Sequence, residues 1–422
     1  TSPLDTFKLF FSNDLINHIV LQTNLYSGQK GNHSLNVTYE EMHTFIGIML
    51  LSGYHQLPSK RMYWQEEPDC KVAVVAEAMR RRRFEDILRC IHLNDNSQIT
   101  GDRLYKVRPL FKYLNQSFKM ISPKECVSID ESIIPYYGRH GAKQFIRGKP
   151  IRFGFKLWVL ANPDGYILHA EPYCGNDTNL PCTGLGQGGD VVIGLIEHSD
   201  LPVGTKIYFD NLFTSVQLLE ELCQRNIGGT GTLRENRTLT AMNLPNKKDF
   251  QKEKRGTIYV SRNDKLTVIR WNDNAAVTVL SNCDKEGPYK NAQRYNRAEK
   301  KKITVQMPNA IARYNENMGG VDLNDQFVSQ YRTKIRNKKW WWAFFAWSVD
   351  VSCVQGWLTY RNLGHIIPYL QFRRQVVLQI LSSFGIGRSR PGPSLPSLTN
   401  SSAIEDIRRD RKDHLIIKGE SK

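Results

Sequence analysis

The order of apolar and polar positions changes period once near residue 120 and again near 320. Before the first change the spacing is helical. Thr38 and Glu41 form a capping box ahead of T-F-I-G-I-M-L-L, and Phe84, Ile87, Leu88 and Ile91 share one helix face. A further helix is expected to start or bend near Pro109. From 126 the period shortens to two: C-V-S-I-D-E-S-I-I, F-G-F-K-L-W-V-L-A and Y-I-L-H-A-E-P-Y read as strands, the last two joined by the hairpin turn N-P-D-G. K-I-Y-F-D continues the sheet, S-V-Q-L-L-E-E-L-C-Q-R-N reads as a helix, and G-G-T-G-T-L-R as a Gly-rich strand. The predicted class is mixed α/β preceded by an all-α part.

Between about 236 and 305 polar, Lys-rich sequence carries three short alternating runs, G-T-I-Y-V-S-R, L-T-V-I-R-W and A-A-V-T-V-L-S, read as a β insertion closed by the solvated basic loop R-Y-N-R-A-E-K-K-K. Residues 322–384 read as helix in two or three pieces, and a Pro/Ser linker with a charged tail follows Gly385. The apolar run from Trp340 to Leu358 contains Asp350, Gln355 and Gly356, and so reads as a buried helix of a soluble protein, not a membrane span. Starting at Thr1 without a methionine, the chain reads as a fragment or processed product with upstream sequence missing.

Composition adds a partner. Across 422 residues the formal charge is +17, which favours a polyanion, nucleic acid or an acidic membrane surface. The eight cysteines include no C-x-x-C pair, so reduced structural thiols are expected and no zinc.

Three aspartates stand where an apolar strand or a double glycine stops: Asp130 in S-I-D-E-S, Asp210 in Y-F-D-N-L-F-T-S and Asp322 in M-G-G-V-D. Each has a bland alternative: a backbone hydrogen bond at a strand end, a helix cap, or the favourable placement of acids in a helix's first turn. Asp322 and Asp325 are spaced to share one helix face, and Gly319 and Gly320 would bring that helix start close to another surface. Taken together, the acids suggest hard-metal phosphoryl transfer, in which Mg²⁺ or Mn²⁺ needs only carboxylate oxygens and no protein nucleophile. Basic residues follow two of the motifs: Arg147, Lys149, Arg152 and Lys156 after the first, and Arg332, Lys334, Arg336, Lys338 and Lys339 after the last. Aromatics beside them offer stacking surfaces as well as phosphate contacts. Arg80 to Arg83 make a third basic cluster.

The blocks S-I-D-E-S, R-G-K-P-I-R-F-G-F-K-L-W, Y-F-D-N-L-F-T-S and R-Y-N-E-N-M-G-G-V-D-L-N-D-Q, in this order, resemble the piggyBac-type transposases and the domesticated proteins derived from them. The resemblance implies a ribonuclease H-like catalytic domain with a β-rich insertion, flanked by an all-α dimerisation and DNA-binding domain. The division would be 1–120 helical, 121–235 and 306–360 catalytic, 236–305 insertion, 361–385 returning to the helical part, and 386–422 a mobile linker and tail. By position it assigns Asp130, Asp210 and Asp322 as catalytic, metal-binding aspartates and Asp325 as an additional metal ligand. In the family such acids carry out strand nicking, hairpin formation and strand transfer at TTAA targets. Transposing members carry a carboxy-terminal cysteine-rich zinc domain that reads the transposon ends, whereas no cysteine follows Cys353 here. The resulting expectation is a transposase-derived nuclear DNA-binding protein with a retained DDD two-metal site. It would bind double-stranded DNA as a homodimer, have no membrane association, and meet protein partners through an upstream region. The alternative is a domesticated regulator or scaffold of transcription or chromatin whose acids are unused.

Overall fold

A computed structural model of the chain describes residues 1–146, 151–175, 177–238, 242–296 and 300–386. Six helices come first: α1 Pro3–Phe10, α2 Asn13–Gln29, α3 Tyr39–Tyr54, α4 Ala73–Ala78, α5 Arg81–Cys90 and α6 Arg108–Phe118. Local chemistry sets their starts. Ser2 with Asp5 and Thr38 with Glu41 close capping boxes at α1 and α3, and a proline lies in the first turn of α6. Apart from Tyr39, Glu40 and Tyr54, every residue of α3 is buried, so this helix is a core element and not an amphipathic cover.

Then come β1 Cys126–Pro135, β2 Lys143–Phe145, β3 Phe153–Ala161, β4 Ile167–Pro172, α7 Gly186–Ser199, β5 Lys206–Phe209, α8 Val216–Gln224, β6 Gly228–Thr232, α9 Lys247–Phe250, β7 Ile258–Arg262, β8 Thr267–Asn272 and β9 Ala276–Ser281. Among the described residues these strands build one nine-stranded mixed sheet in the order β2-β3-β1-β5-β6-β9-β8-β7, with β4 also on β3. β1 runs antiparallel to β3 and parallel to β5, and β5 runs parallel to β6. The three alternating runs of the 236–305 region are β7, β8 and β9, and β9 joins them to β6. The N-P-D-G turn is made as expected, with Gly165 at φ +92°.

The close of that region differs from expectation. Instead of one basic loop, residues β10 Lys290–Asn296 and β11 Lys301–Met307 pair as an antiparallel hairpin. Its lysines mask the strand pattern because both faces of much of the hairpin are exposed.

The last helices are α10 Asn309–Asn317, α11 Gly320–Gln330, α12 Trp342–Asn362 and α13 Tyr369–Phe384. α10 and α11 lie on one face of the sheet, where Arg313 approaches Tyr208 and Gly320 approaches Ser128. α8 lies on the other, with Leu219 and Leu222 against Gly229. α12 and α13 return to α1 and α3 and complete the helical layer. The short β2 and α9 escape sequence reading, and so do two longer helices. α7 opens on Gly186, Gly188 and Gly189, which dilute its helical pattern, and α10 precedes the double glycine. No helix among the described residues is long and apolar enough to cross a membrane. The linker and tail beyond 386 lie outside the described residues.

Candidate active site

Asp130 is not at a strand end. β1 continues to Pro135, and what stops at Ile129 is its parallel pairing with Phe209 of β5. Asp210 is the residue just past the end of β5, and its charge and that of Asp130 both act on the phenol of Tyr314, which puts the two aspartates in one corner. Asp130 is 9% exposed, and its Oδ1 accepts the backbone N–H of Glu131 at 2.8 Å. Asp210 Oδ1 accepts the N–H of Leu212 at 2.6 Å. It does not cap α8, because Ser215 does, its hydroxyl accepting from Leu218 N–H at 3.2 Å. Arg237 braces this loop, its Nη1 donating to the carbonyls of Asn211, Leu212 and Thr214 at 3.0, 3.1 and 2.7 Å.

The third element is α11, laid across β1. Neither Gly319 nor Gly320 takes a positive φ, so backbone permissiveness explains neither. Space explains Gly320: a Cβ there would stand 2.4 Å from the carbonyl oxygen of Asn162 and 2.8 Å from Ser128 Oγ, whereas nothing lies within 4 Å of one at Gly319. Buried Asn324 fastens the helix further, donating to the Gly165 carbonyl at 2.9 Å. Asp325 then receives the hydroxyl of Ser132 at 2.6 Å. Ser128, Asp130 and Ser132 alternate along β1, so they share its α11 face. The two acids of α11 therefore part company: Asp325 is half-buried against β1, and Asp322 is exposed. Among the described residues no three His, Cys, Asp or Glu side chains stand close enough together to hold a metal ion.

Two residues of this corner escape the sequence reading. Ser132 stands two positions after Asp130, and strand alternation alone could have found it. Tyr314, on α10, has its phenol pushed up to about 12, by burial first and then by the charges of Asp210 and Asp130, against a hydrogen bond with Thr232. Its block, R-Y-N-E-N-M-G-G, carried the signal.

The basic residues divide. Lys334, Arg336 and Lys338 are exposed, alternating with inward Thr333 and Ile335 in a non-helical stretch between α11 and α12. That stretch is pinned by Lys334 N–H to Ser52 Oγ at 3.0 Å and by Trp342 Nε1 to the Ile335 carbonyl at 2.8 Å. Arg332 is half-buried and Arg152 exposed. Lys156 falls on the sheet face opposite Asp130, its Nζ 3.8 Å above the Trp158 ring and 4.4 Å from that of Tyr173. Lys339 turns inward, donating to the carbonyls of Arg89 and Ile91 at 2.8 and 2.6 Å, and burial lowers its pKa to about 8. Neither surrounding fits the expected phosphate contact. Arg147 and Lys149 lie outside the described residues. In the third cluster Arg83 is engaged by Glu41 at 2.5 Å, and Arg81 and Arg82 are exposed.

Known proteins are similar to the chain over most of its length. Residues 2–357 match the family described as Transposase IS4. The chain is 37% identical over 423 aligned positions to human PiggyBac transposable element-derived protein 3, covering 99% of this chain and 70% of that protein. It is 36% identical over 392 positions to human PiggyBac transposable element-derived protein 2, covering 90% of this chain and 66% of the relative. Among solved structures, a piggyBac transposase in a synaptic complex with hairpin DNA superposes with a TM-score of 0.77 at 23% identity, over 100% of this chain and 87% of that one. That likeness establishes the mixed α/β fold. With the motif blocks in order and most of its length matched, the chain belongs to the piggyBac-type transposase family, among the proteins derived from piggyBac transposable elements.

Proposed function

We propose that this chain is a transposase-derived DNA-binding protein of the nucleus that retains a divalent-metal site for strand nicking, hairpin formation and strand transfer. Asp130, Asp210 and Asp322 are the catalytic acids of this reading, with Asp325 beside them. The observation that supports it is the nearness of Asp130, on β1, and Asp210, just past the end of the adjacent parallel β5, to the same Tyr314 phenol, with the start of α11 brought close to β1 at Gly320. The donors fit hard Mg²⁺ or Mn²⁺, since they are carboxylate oxygens without thiols or imidazoles. When bound, such an ion would make a hydroxyl nucleophilic near neutral pH and offset charge on the leaving oxygen.

The chain's own residues prepare that chemistry. Backbone N–H groups of Glu131 and Leu212 fix the carboxylates of Asp130 and Asp210. Ser132 orients Asp325, and Tyr314 keeps its proton across the neutral range and so remains a hydrogen-bond donor. Exposed Lys334, Arg336, Lys338 and Arg152 supply phosphate contacts to double-stranded DNA, with a homodimer as the working assembly. The same reading retains the division into a helical part, an interrupted ribonuclease H-like part and a β-rich insertion.

A second reading, a DNA-binding regulator that does not use its acids, draws on the absence among the described residues of any preformed three-acid cluster. One experiment separates the two. The chain is incubated with DNA carrying a pre-nicked TTAA end and Mg²⁺ or Mn²⁺. Hairpin or strand-transfer product that Asp210→Asn removes supports the enzyme; no product with either metal sinks it. DNA binding itself should weaken steeply with added salt, and a flat response would refute both readings.

A further inference from the structure

The sheet face that carries Asp130 ends in an exposed pair of aromatic rings. β3 pairs antiparallel with β1, so Val159, Leu157 and Phe155 lie opposite Asp130, Ser132 and Ile134, and Phe153 continues that row. β2 adds Phe145 directly across from Phe153. Their ring centroids are 5.0 Å apart and tilted by 41°, and they are 60% and 38% exposed. Inward the row closes: Tyr136 stacks on Phe155 at 4.8 Å, and Trp340 and Phe344 cover the Phe155 ring. Outward, among the described residues, no further ring packs on Phe145 or Phe153, so the stack is filled at one end and exposed at the other. Six residues separate Phe153 from Val159, which sets the pair roughly 20 Å along the sheet from Asp130.

The charge around the pair selects the partner. Between Glu131 and Asp164 the sequence has no Asp or Glu. Lys143 Nζ lies 5.6 Å from the Phe153 ring centroid, and Arg152, next to Phe153, is exposed. Flat apolar rings bordered by cations, with no acid in the segment, match the two halves of a nucleotide: a π-face to stack and a phosphate to pair.

We propose that Phe145 and Phe153 form a stacking platform for unpaired bases at a DNA end, with Lys143 and Arg152 holding the adjoining phosphates. The inference rests on the DNA reading above and refines it, because a duplex interior keeps its bases stacked on one another and has no face to offer.

The test uses the full 422-residue chain, a blunt duplex, and the same duplex with a short single-stranded overhang bearing 2-aminopurine. The intact chain is expected to bind the overhang DNA more tightly and to change the probe's fluorescence. Phe145→Ala should weaken overhang binding by about tenfold and leave blunt-duplex affinity within about twofold. Phe145→Trp should restore the preference, which a merely structural role would not produce. Equal losses on both DNAs, or no loss on the overhang, would overturn the platform while leaving the DNA-binding reading in place. Failure of the intact chain to bind either DNA would overturn the platform and the DNA reading together. A Phe145-dependent overhang preference in a chain without strand-transfer product would uphold the platform and remove only the enzyme.

Discussion

Asp350 and Asp325 each accept a hydroxyl, from Thr333 at 2.8 Å and from Ser132 at 2.6 Å, yet they serve different ends. Asp350, on α12, is fully buried; Arg373 of α13 donates to it at 2.8 Å and the Thr333 N–H at 2.9 Å. Arg373 in turn bonds the Leu50 carbonyl at 3.0 Å and the Tyr369 hydroxyl at 3.3 Å. That network ties α3, α12 and α13 to the stretch after α11 and leaves no opening for a ligand. At the other corner Asp325 is half-buried, Asp322 three residues earlier faces solvent, Asp130 lies on β1 and Asp210 just past the end of β5. A buried acid answered by a cation and two further donors is a structural lock. Asp322, by contrast, stays open to solvent on a helix that Gly320 lets lie close to β1.

The contrast breaks most readily at Asp350. Asp350→Ala should cost about 3–5 kcal/mol in urea unfolding, because Arg373 is left buried without its counter-charge, whereas Asp322→Asn should stay within about 0.5 kcal/mol. Similar costs at the two sites would erase the distinction. Next comes Gly320→Ala, which drives a methyl group into the Asn162 carbonyl and should cost about 1–3 kcal/mol, while Gly319→Ala is near neutral; equal urea midpoints would show that α11 is not drawn in by Gly320. Ser132→Ala should cost about 1 kcal/mol and Ser132→Thr less, measured in the same way; identical losses would mean that the hydroxyl does not hold Asp325.

The smallest effect is pH dependence. Burial holds His43 and His92 down to about 4 and His169 to about 3, so the folded chain resists protons that the unfolded chain takes up near 6.5. Their contribution is present above 6.5 and lost as pH falls towards 4 and 3. Burial raises Glu171 to about 7 against the pull of Arg108, which acts oppositely: stability is gained as pH falls from 7 towards the ordinary carboxylate value. Three groups against one give a net decline in urea midpoint on acidification, steeper in Glu171→Gln. A midpoint rising from pH 6.5 to 4 would contradict this.

Much of the helical layer could be read in advance because its signals are local. The Thr38–Glu41 capping box, the proline of α6 and the Gly165 turn each depend on a few neighbouring residues. The three acids were visible for the same reason. What spacing could not separate was Asp322 from Asp325, since their difference is set by Gly320 against Asn162 and by Asn324 on Gly165, contacts made across more than 150 residues. Lys156 was placed by sheet register, and Lys339 by the carbonyls left open at the end of α5. Both are tertiary facts that a run of basic letters cannot carry.

The Thr44 hydroxyl donates to the Phe384 carbonyl at 2.8 Å, a bond that joins positions 340 apart in the chain. α3, buried on nearly every side, therefore waits for partners made last. A ribosome emitting this chain releases the amino-terminal helices long before α12 and α13 exist, and until then α3 has only the part of its native cover that α2 and Phe84 supply. Such distant closure slows folding and exposes a sticky intermediate. An amino-terminal fragment ending before residue 340 should consequently be recovered bound to chaperones or in aggregates, and adding residues 340–386 in trans is the natural means of rescuing it.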